Sequence, residues 1–119
     1  KYLISRIESY ATPGFPDCIV FHRDTGFFTL ELKIIQPNGK IRISPLQIAW
    51  NTWWSGAGAL VFILVDLRKT QKGSYVKLFP GHLAQELRDK DLDSVPGLYE
   101  GRLADLDLCQ VLSNSQTPQ

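Results

Sequence analysis

The sequence predicts an α/β domain with a mixed central β-sheet flanked by helices. Two hydrophobic segments separated by a four-residue turn indicate a β-hairpin, and an amphipathic segment and then a further apolar strand follow it. A helix between the early strands and the later strand allows a crossover connection, so we expect parallel and antiparallel pairs in one sheet. The 119 residues, 44% of them hydrophobic, are enough for one compact domain and too few for two.

The predicted hairpin joins residues 18–22 to residues 27–35 through the turn at 23–26. Because side chains alternate between the faces of a strand, Glu31 and Lys33 share one face with Thr29. The other face of this strand is expected to be core and carries Phe28, Leu30, Leu32 and Ile34. A second turn at 37–40 and a short strand over 41–43 follow.

The clearest helix prediction begins at Ser44, which is a suitable N-cap in front of a proline in the first turn, and runs through Trp54. Its tryptophans, Trp50, Trp53 and Trp54, have the spacing of a core stripe, although one of them could instead stack on a base or form a dimer interface.

Beyond this helix, the unbroken apolar run 59–65 predicts a central strand buried on both faces, with the strand 74–79 as its partner. A helix is predicted over 81–90. The remaining segment to residue 112 is ambiguous between helix and extended chain. We expect a single domain over residues 1–112 and a polar C-terminal tail over residues 113–119.

Charge is distributed unevenly along the chain, although the net charge is only +1. Residues 1–79 hold ten Lys and Arg against five Asp and Glu, whereas residues 80–119 hold three against seven. A basic N-terminal body is suited to a polyanion, although a charge run is also typical of a solvated face. No apolar run approaches the ~20 residues that span a bilayer, and no signal segment is present, so we expect a cytoplasmic protein without a membrane partner.

The cysteines and histidines give no motif of their own. Cys18 and Cys109 are too few for a disulfide scaffold or a zinc site, and we interpret them as buried small hydrophobic residues. His22 and His82 are sixty residues apart, and a lone histidine in a strand is more often structural than a general base.

Two carboxylates and a lysine converge in the predicted hairpin. Asp17 immediately precedes the first hairpin strand, so strand pairing brings its carboxylate close to Glu31, while Lys33 lies on the same face as Glu31. Glu31 and Lys33 alone also fit an ion pair on the sheet surface. Adjacent carboxylates, however, are unfavourable unless a cation lies between them, and oxygen ligands suit Mg²⁺ or Mn²⁺. Such an ion polarises a phosphodiester and lowers the pKa of a bound water.

These residues form a motif that resembles the PD-(D/E)xK nuclease superfamily. Gly14-x-Pro16-Asp17 is followed after thirteen residues by Glu31-x-Lys33, which is the order and spacing of that superfamily. The resemblance implies a restriction-endonuclease-like core.

A second motif lies downstream, where Gln47 and Trp50 form Gln-x-x-Trp at the start of the predicted helix. The combined order is similar to the virus-type replication-repair nuclease family, particularly its small phage and bacterial stand-alone domains, and more distantly to Holliday-junction resolvases. The resemblance covers about residues 6–66, half of the chain.

The resemblance also implies roles for individual residues. Asp17 and Glu31 would be the metal-binding carboxylates, with the backbone carbonyl of Leu32 as an additional metal ligand. Lys33 would be the catalytic lysine, and Gln47 the helix residue that reaches back into the site.

Three further residues are weaker candidates. Glu8 matches an upstream glutamate that some members use, and an exposed acid is its alternative interpretation. Lys40 and Arg42 lie on the segment after the hairpin, where phosphate contact and simple solvation are about equally expected.

The sequence therefore predicts a DNA endonuclease that uses Mg²⁺ or Mn²⁺. A domain of this size without a base-reading module favours recognition of DNA shape or backbone, so we expect branched or flapped DNA from replication, recombination or repair as substrate. A homodimer would let two sites cut two strands. The alternatives are a sequence-specific restriction-like or homing endonuclease and a non-catalytic nucleic-acid-binding protein on the same fold.

Overall fold

Six strands form one mixed sheet, and their order across the sheet follows their order along the chain. The computed structural model describes residues 2–7, 14–68 and 73–116, with side chains described through residue 112. The strands are β1 (Leu3–Arg6), β2 (Cys18–His22), β3 (Gly26–Ile34), β4 (Val61–Asp66), β5 (Tyr75–Pro80) and β6 (Tyr99–Arg102). The helices are α1 (Pro45–Gly56), α2 (Ala84–Asp89) and α3 (Leu108–Gln116).

Only the central pair of the described strands, β3 and β4, is parallel, and α1 is the crossover that connects them. The hairpin β2–β3 is antiparallel with Cys18 opposite Leu30, and β4 pairs antiparallel with β5. These pairings confirm the predicted hairpin, the predicted partner of the central strand and the mixed α/β sheet.

Helix α1 begins where the sequence predicted, because its first turn is capped from both directions. The Ser44 hydroxyl accepts a hydrogen bond from the Gln47 backbone N–H at 3.1 Å, and Gln47 Oε1 accepts one from the Ser44 backbone N–H at 3.0 Å. Such a capping box satisfies two N–H groups that have no partner inside the helix. Pro45 occupies the first turn, where a missing N–H costs nothing.

The predicted tryptophan core stripe is wrong for two of its three members. Trp50 is buried, whereas Trp53 and Trp54 are 74% and 48% exposed. The helix face that meets the sheet is centred on Ile48 and Asn51, which are both buried. The buried Asn51 amide is satisfied by donating to the Gln47 carbonyl at 2.8 Å. The apolar arc of α1 is wider than its contact with the sheet, so its outer edge remains in solvent.

Two apolar clusters cover the two faces of the sheet. One lies under α1 and α2 and includes Ile48, Ile63, Val65, Phe79 and Leu87. The other lies on the opposite face, against α3, and includes Val20, Phe28, Leu30, Phe62, Leu78 and Leu112.

The face of β3 opposite Glu31 is core only over its first half. Phe28 and Leu30 are buried in the second cluster, but Leu32 and Ile34 are 43% and 44% exposed. The prediction that this whole face is core is therefore wrong, because the cluster against α3 covers the beginning of the strand and not its end.

Three further segments differ from the sequence prediction. Residues 41–43 form no strand, although Ile41 and Ile43 are buried in the cluster under α1 and α2. The ambiguous segment before residue 112 contains β6 and most of α3, and α3 continues to Gln116, into the predicted tail. The edge strand β1 was not predicted, because its residues are exposed and carry no alternating pattern.

Gly14 is required by a close backbone approach, which gives a testable prediction. Its φ is +87°, and a Cβ would lie 2.5 Å from the Leu46 carbonyl oxygen on α1. Gly26 is a matched control, because its φ is +77° but a Cβ there would meet nothing within 4 Å. We expect Gly14→Ala to lower the thermal unfolding temperature clearly more than Gly26→Ala. Both variants carry the strain of a left-handed backbone, about 1–3 kcal/mol, but only Gly14→Ala adds a clash with α1. Equal losses in the two variants would contradict the close contact.

Candidate metal centre

The two predicted carboxylates meet at the start of the hairpin. Asp17 lies directly before β2, and its backbone N–H donates to Glu31 Oε2 at 3.2 Å. In return, the Leu32 backbone N–H donates to Asp17 Oδ2 at 2.9 Å. This reciprocal pair of bonds fixes Asp17 beside the middle of β3, so the structure brings together the two residues that the hairpin pairing predicted.

Glu31 is fully buried, which is unusual for a carboxylate with no basic partner bonded to it. Its Oε1 has no hydrogen-bond partner among the described residues. Burial, together with a side-chain hydrogen bond to Asp17 and the negative charge of Asp17, raises the pKa of Glu31 to about 8, while the charge of Lys33 and the Asp17 backbone N–H oppose the shift. A buried oxygen without a partner, beside a second carboxylate, fits a bound divalent cation that would supply the missing positive charge.

Lys33 is tied to the first turn of α1. Its Nζ donates to Gln47 Oε1 at 2.9 Å, and the same oxygen accepts the Ser44 backbone N–H. Gln47 thus serves both as a helix cap and as an anchor for the lysine. Because Lys33 lies two residues after Glu31 on one face of β3, the ammonium group is held on the same side of the sheet as the buried carboxylate.

An open cavity of about 450 Å³ borders this cluster. Asp17 and Lys33 line it, together with Arg6 from β1 and Asp66 from the end of β4. Neither Arg6 nor Asp66 was predicted as a site residue from the sequence. Asp66 could have been noticed as a carboxylate that ends the apolar strand next to β3, whereas Arg6 lies on the strand that was not predicted.

Of the remaining predicted site residues, Leu32 contacts the cluster, and no described contact brings in the others. Glu8 lies outside the described residues. Leu32 contributes its backbone N–H to Asp17, and the role of its carbonyl as a metal ligand stays a prediction. Lys40 is half-buried and its Nζ donates to the Asp89 carbonyl at 3.4 Å, while Arg42 is exposed. Phosphate contact by Lys40 and Arg42 also stays a prediction.

The buried carboxyl predicts how stability depends on pH. Glu31 has a reference pKa of 4.5 and titrates near 8 in the folded protein, so the folded state binds more protons between these values. Raising the pH through this window therefore removes stability from the metal-free protein. We expect Glu31→Gln to be more stable than wild type at pH 9, by about 1–3 kcal/mol, and to differ little at pH 5.

Thermal or urea unfolding at pH 5 and pH 9 without divalent cations measures this effect. The exposed Glu86 on α2 offers a control, because Glu86→Gln should follow wild type at both pH values. If Glu31→Gln loses as much stability as wild type between pH 5 and pH 9, the titrating group lies elsewhere.

The mixed sheet, with a helical crossover between its parallel strands and helices on its faces, is the restriction-endonuclease-like fold that the sequence predicted. Among solved structures, the chain is similar to the Holliday junction resolvase Hjc of Archaeoglobus fulgidus, an archaeal hyperthermophile. The TM-score is 0.51 at 16% sequence identity, over 95% of this chain and 86% of the resolvase chain. At this identity the likeness shows the fold alone.

No family model matches the sequence, and no curated protein matches it. The predicted likeness to the virus-type replication-repair nucleases is therefore supported only as far as the shared fold type, and the narrower family stays a prediction. No helix within the described ranges is long and apolar enough to cross a membrane.

Proposed function

We propose that this protein is a divalent-metal-dependent DNA endonuclease that hydrolyses phosphodiester bonds. The observation that carries this proposal is the fully buried Glu31, whose Oε1 lacks a partner and which is bonded to Asp17 beside Lys33. A structural ion pair would leave neither an unpartnered buried oxygen nor two adjacent carboxylates. This arrangement suits a bound divalent cation.

Asp17 and Glu31 are the residues that would hold Mg²⁺ or Mn²⁺, with the Leu32 carbonyl as a third oxygen. A bound ion of this kind supplies polarisation of the phosphodiester and a water of lowered pKa. The chain itself fixes the positions of both carboxylates, since the Asp17 and Leu32 backbone N–H groups orient them. Metal-site residues that are oriented in advance need no rearrangement when the substrate binds.

Lys33 holds positive charge next to the carboxylates and is positioned by Gln47. Its ammonium group orients the attacking water and offsets the negative charge that develops on the phosphoryl oxygens. Gln47 is a positioning residue in this scheme, because it acts through Lys33 and keeps the lysine on the side of the cavity.

Branched DNA is the substrate that the proposal favours. The described elements are one sheet and the helices packed on it, with no separate element for reading bases, so recognition by shape and backbone is expected. The structurally similar protein from Archaeoglobus fulgidus is a Holliday junction resolvase, which points to the same substrate class. A homodimer would place two such sites on the two strands of a junction.

Cleavage of a DNA panel tests this function. Duplex, flapped, splayed and four-way DNA of matched sequence are incubated with the full chain in Mg²⁺, and with EDTA as a control. We expect Mg²⁺-dependent cleavage near the branch point and little cleavage of plain duplex. Sequence-dependent cutting of duplex would favour a restriction-like enzyme, and binding of DNA without cleavage in Mg²⁺ or Mn²⁺ would favour a non-catalytic protein.

A further inference from the structure

A second group of metal-ligating side chains lies away from the candidate metal centre. His22 ends β2, Asp24 lies in the hairpin turn and Cys109 lies in the first turn of α3. One ligand atom from each residue can be chosen so that all three lie within 4.8 Å of one another. His22 and Asp24 are close in sequence, whereas Cys109 comes from the far end of the chain, so no local motif could reveal the complete group.

This group is separated from the carboxylate site by the length of a strand. Asp17 lies directly before β2 and His22 ends it, and the strand from Cys18 to His22 spans roughly 13 Å at about 3.3 Å per residue. The group also lies on the sheet face that α3 covers, whereas Glu31 faces α1. The two sites therefore share no ligand and can be tested separately.

Local contacts hold the three side chains in place. The Asp24 carboxylate lies 3.7 Å from His22 Nδ1, and the Asp24 backbone N–H donates to the same nitrogen at 3.0 Å, a hydrogen bond that a metal bound to the imidazole would replace. The Tyr2 ring packs against the imidazole of His22, with ring centroids 4.9 Å apart. Tyr2 also donates its hydroxyl hydrogen to Cys109 Sγ at 3.4 Å and accepts the Cys109 backbone N–H at 3.1 Å. Tyr2 thus links the histidine to the cysteine.

We propose that His22, Asp24 and Cys109 bind a divalent transition-metal ion of the Zn²⁺ type. The site offers one nitrogen, one oxygen and one sulfur ligand, which Zn²⁺ accepts together in tetrahedral geometry with a fourth position for water. Mg²⁺ prefers oxygen ligands and does not take a thiolate, so this site selects a different metal from the carboxylate site. On binding, Cys109 releases its thiol proton to solvent and coordinates as thiolate.

The ligand atoms must close by about one ångström to reach tetrahedral spacing at metal–ligand distances of about 2.0–2.3 Å. The Asp24 side chain is 71% exposed and can rotate without disturbing the core. An ion at this position would fasten α3 to the β2–β3 turn. The ion would add to the attachment of this helix, which otherwise packs on the sheet through the cluster that includes Leu112.

Cobalt titration of the full chain in excess Mg²⁺ tests this site directly. Co²⁺ bound by a thiolate gives a charge-transfer absorption that Mg²⁺ and carboxylate sites cannot give. We expect this absorption to reach its maximum at one Co²⁺ ion per chain, and we expect the excess of Mg²⁺ not to change it. Cys109→Ser should abolish it, and Cys18→Ala should retain it, since Cys18 is the other cysteine and is buried away from the three ligands.

Asp24→Asn provides a second variant that should not disturb folding, because the carboxylate is exposed. We expect it to weaken Co²⁺ affinity by more than about tenfold. Even the loss of a residue that only hydrogen-bonds to a metal ligand weakens metal affinity by about 10–100-fold. Zn²⁺ should also raise the thermal unfolding temperature of wild type and leave that of Asp24→Asn nearly unchanged. The absence of a thiolate absorption in wild type, its persistence in Cys109→Ser, or equal affinity in Asp24→Asn would each overturn the proposal.

Discussion

Asp17→Asn and Glu31→Gln should each lower the single-turnover rate of Mg²⁺-dependent DNA cleavage by about 10³-fold or more. Such a factor corresponds to about 4 kcal/mol of transition-state stabilisation, which is the several kcal/mol that a metal ion contributes to charge stabilisation. Both variants preserve the shape of the side chain, and neither should unfold the protein. Glu31→Gln removes a buried carboxyl whose ionised form is unfavourable without a cation.

The measurement compares cleavage of four-way DNA with circular dichroism and thermal unfolding of the same preparations. Asp93→Asn and Glu86→Gln are matched controls, since both residues are exposed and lie outside the cluster. We expect wild-type rates from the controls. Loss of activity that accompanies loss of structure, or wild-type cleavage by Glu31→Gln, would remove these carboxylates from the site.

Lys33→Ala should lower the cleavage rate by roughly 10²-fold or more, as expected when a preorganised electrostatic group is lost. Its effect on metal binding should differ from that of the carboxylate variants. Lys33 places a positive charge beside the candidate ligands and opposes the raised pKa of Glu31, so its removal should leave Mn²⁺ affinity unchanged or slightly increased.

Gln47→Ala should lower the cleavage rate less than Lys33→Ala. Gln47 only holds the lysine in place, so its removal leaves the positive charge of Lys33 in the site. Lys90→Ala is the control, since this lysine is exposed and follows α2. Single-turnover cleavage and calorimetric Mn²⁺ titration are run on all three variants. If Lys33→Ala eliminates Mn²⁺ binding at wild-type stability, the lysine positions the metal ligands and does not act on the nucleophile.

The core of the candidate site could be predicted from sequence because it depends on one strand pairing. Once residues 18–22 pair with the strand that carries Glu31, Asp17 is necessarily beside it, and alternation places Lys33 on the same face. The contact between Gln47 and Lys33 was predicted only as far as a helix residue that reaches back into the site. That the Gln47 side chain both caps α1 and holds Lys33 could be seen only in the three-dimensional structure.

Other features could not be predicted because they depend on which surfaces are covered. The exposure of Trp53, Leu32 and Ile34 depends on where α1 and α3 end relative to the sheet. The burial of Ile41 and Ile43 without a strand depends on their packing under α1 and α2. Arg6 enters the cavity only because the edge strand β1 is added to the sheet beside β2.

Mn²⁺ binding to wild type and to Glu31→Gln, measured by isothermal titration at pH 8, tests most directly whether the two carboxylates form a metal centre. The exposed Glu86→Gln variant is titrated alongside, and Mn²⁺ is chosen because it prefers oxygen ligands over the thiolate of Cys109. We expect binding to wild type and Glu86→Gln, and loss of that binding in Glu31→Gln. Equal Mn²⁺ binding by wild type and a folded Glu31→Gln variant would contradict a metal centre at Asp17 and Glu31.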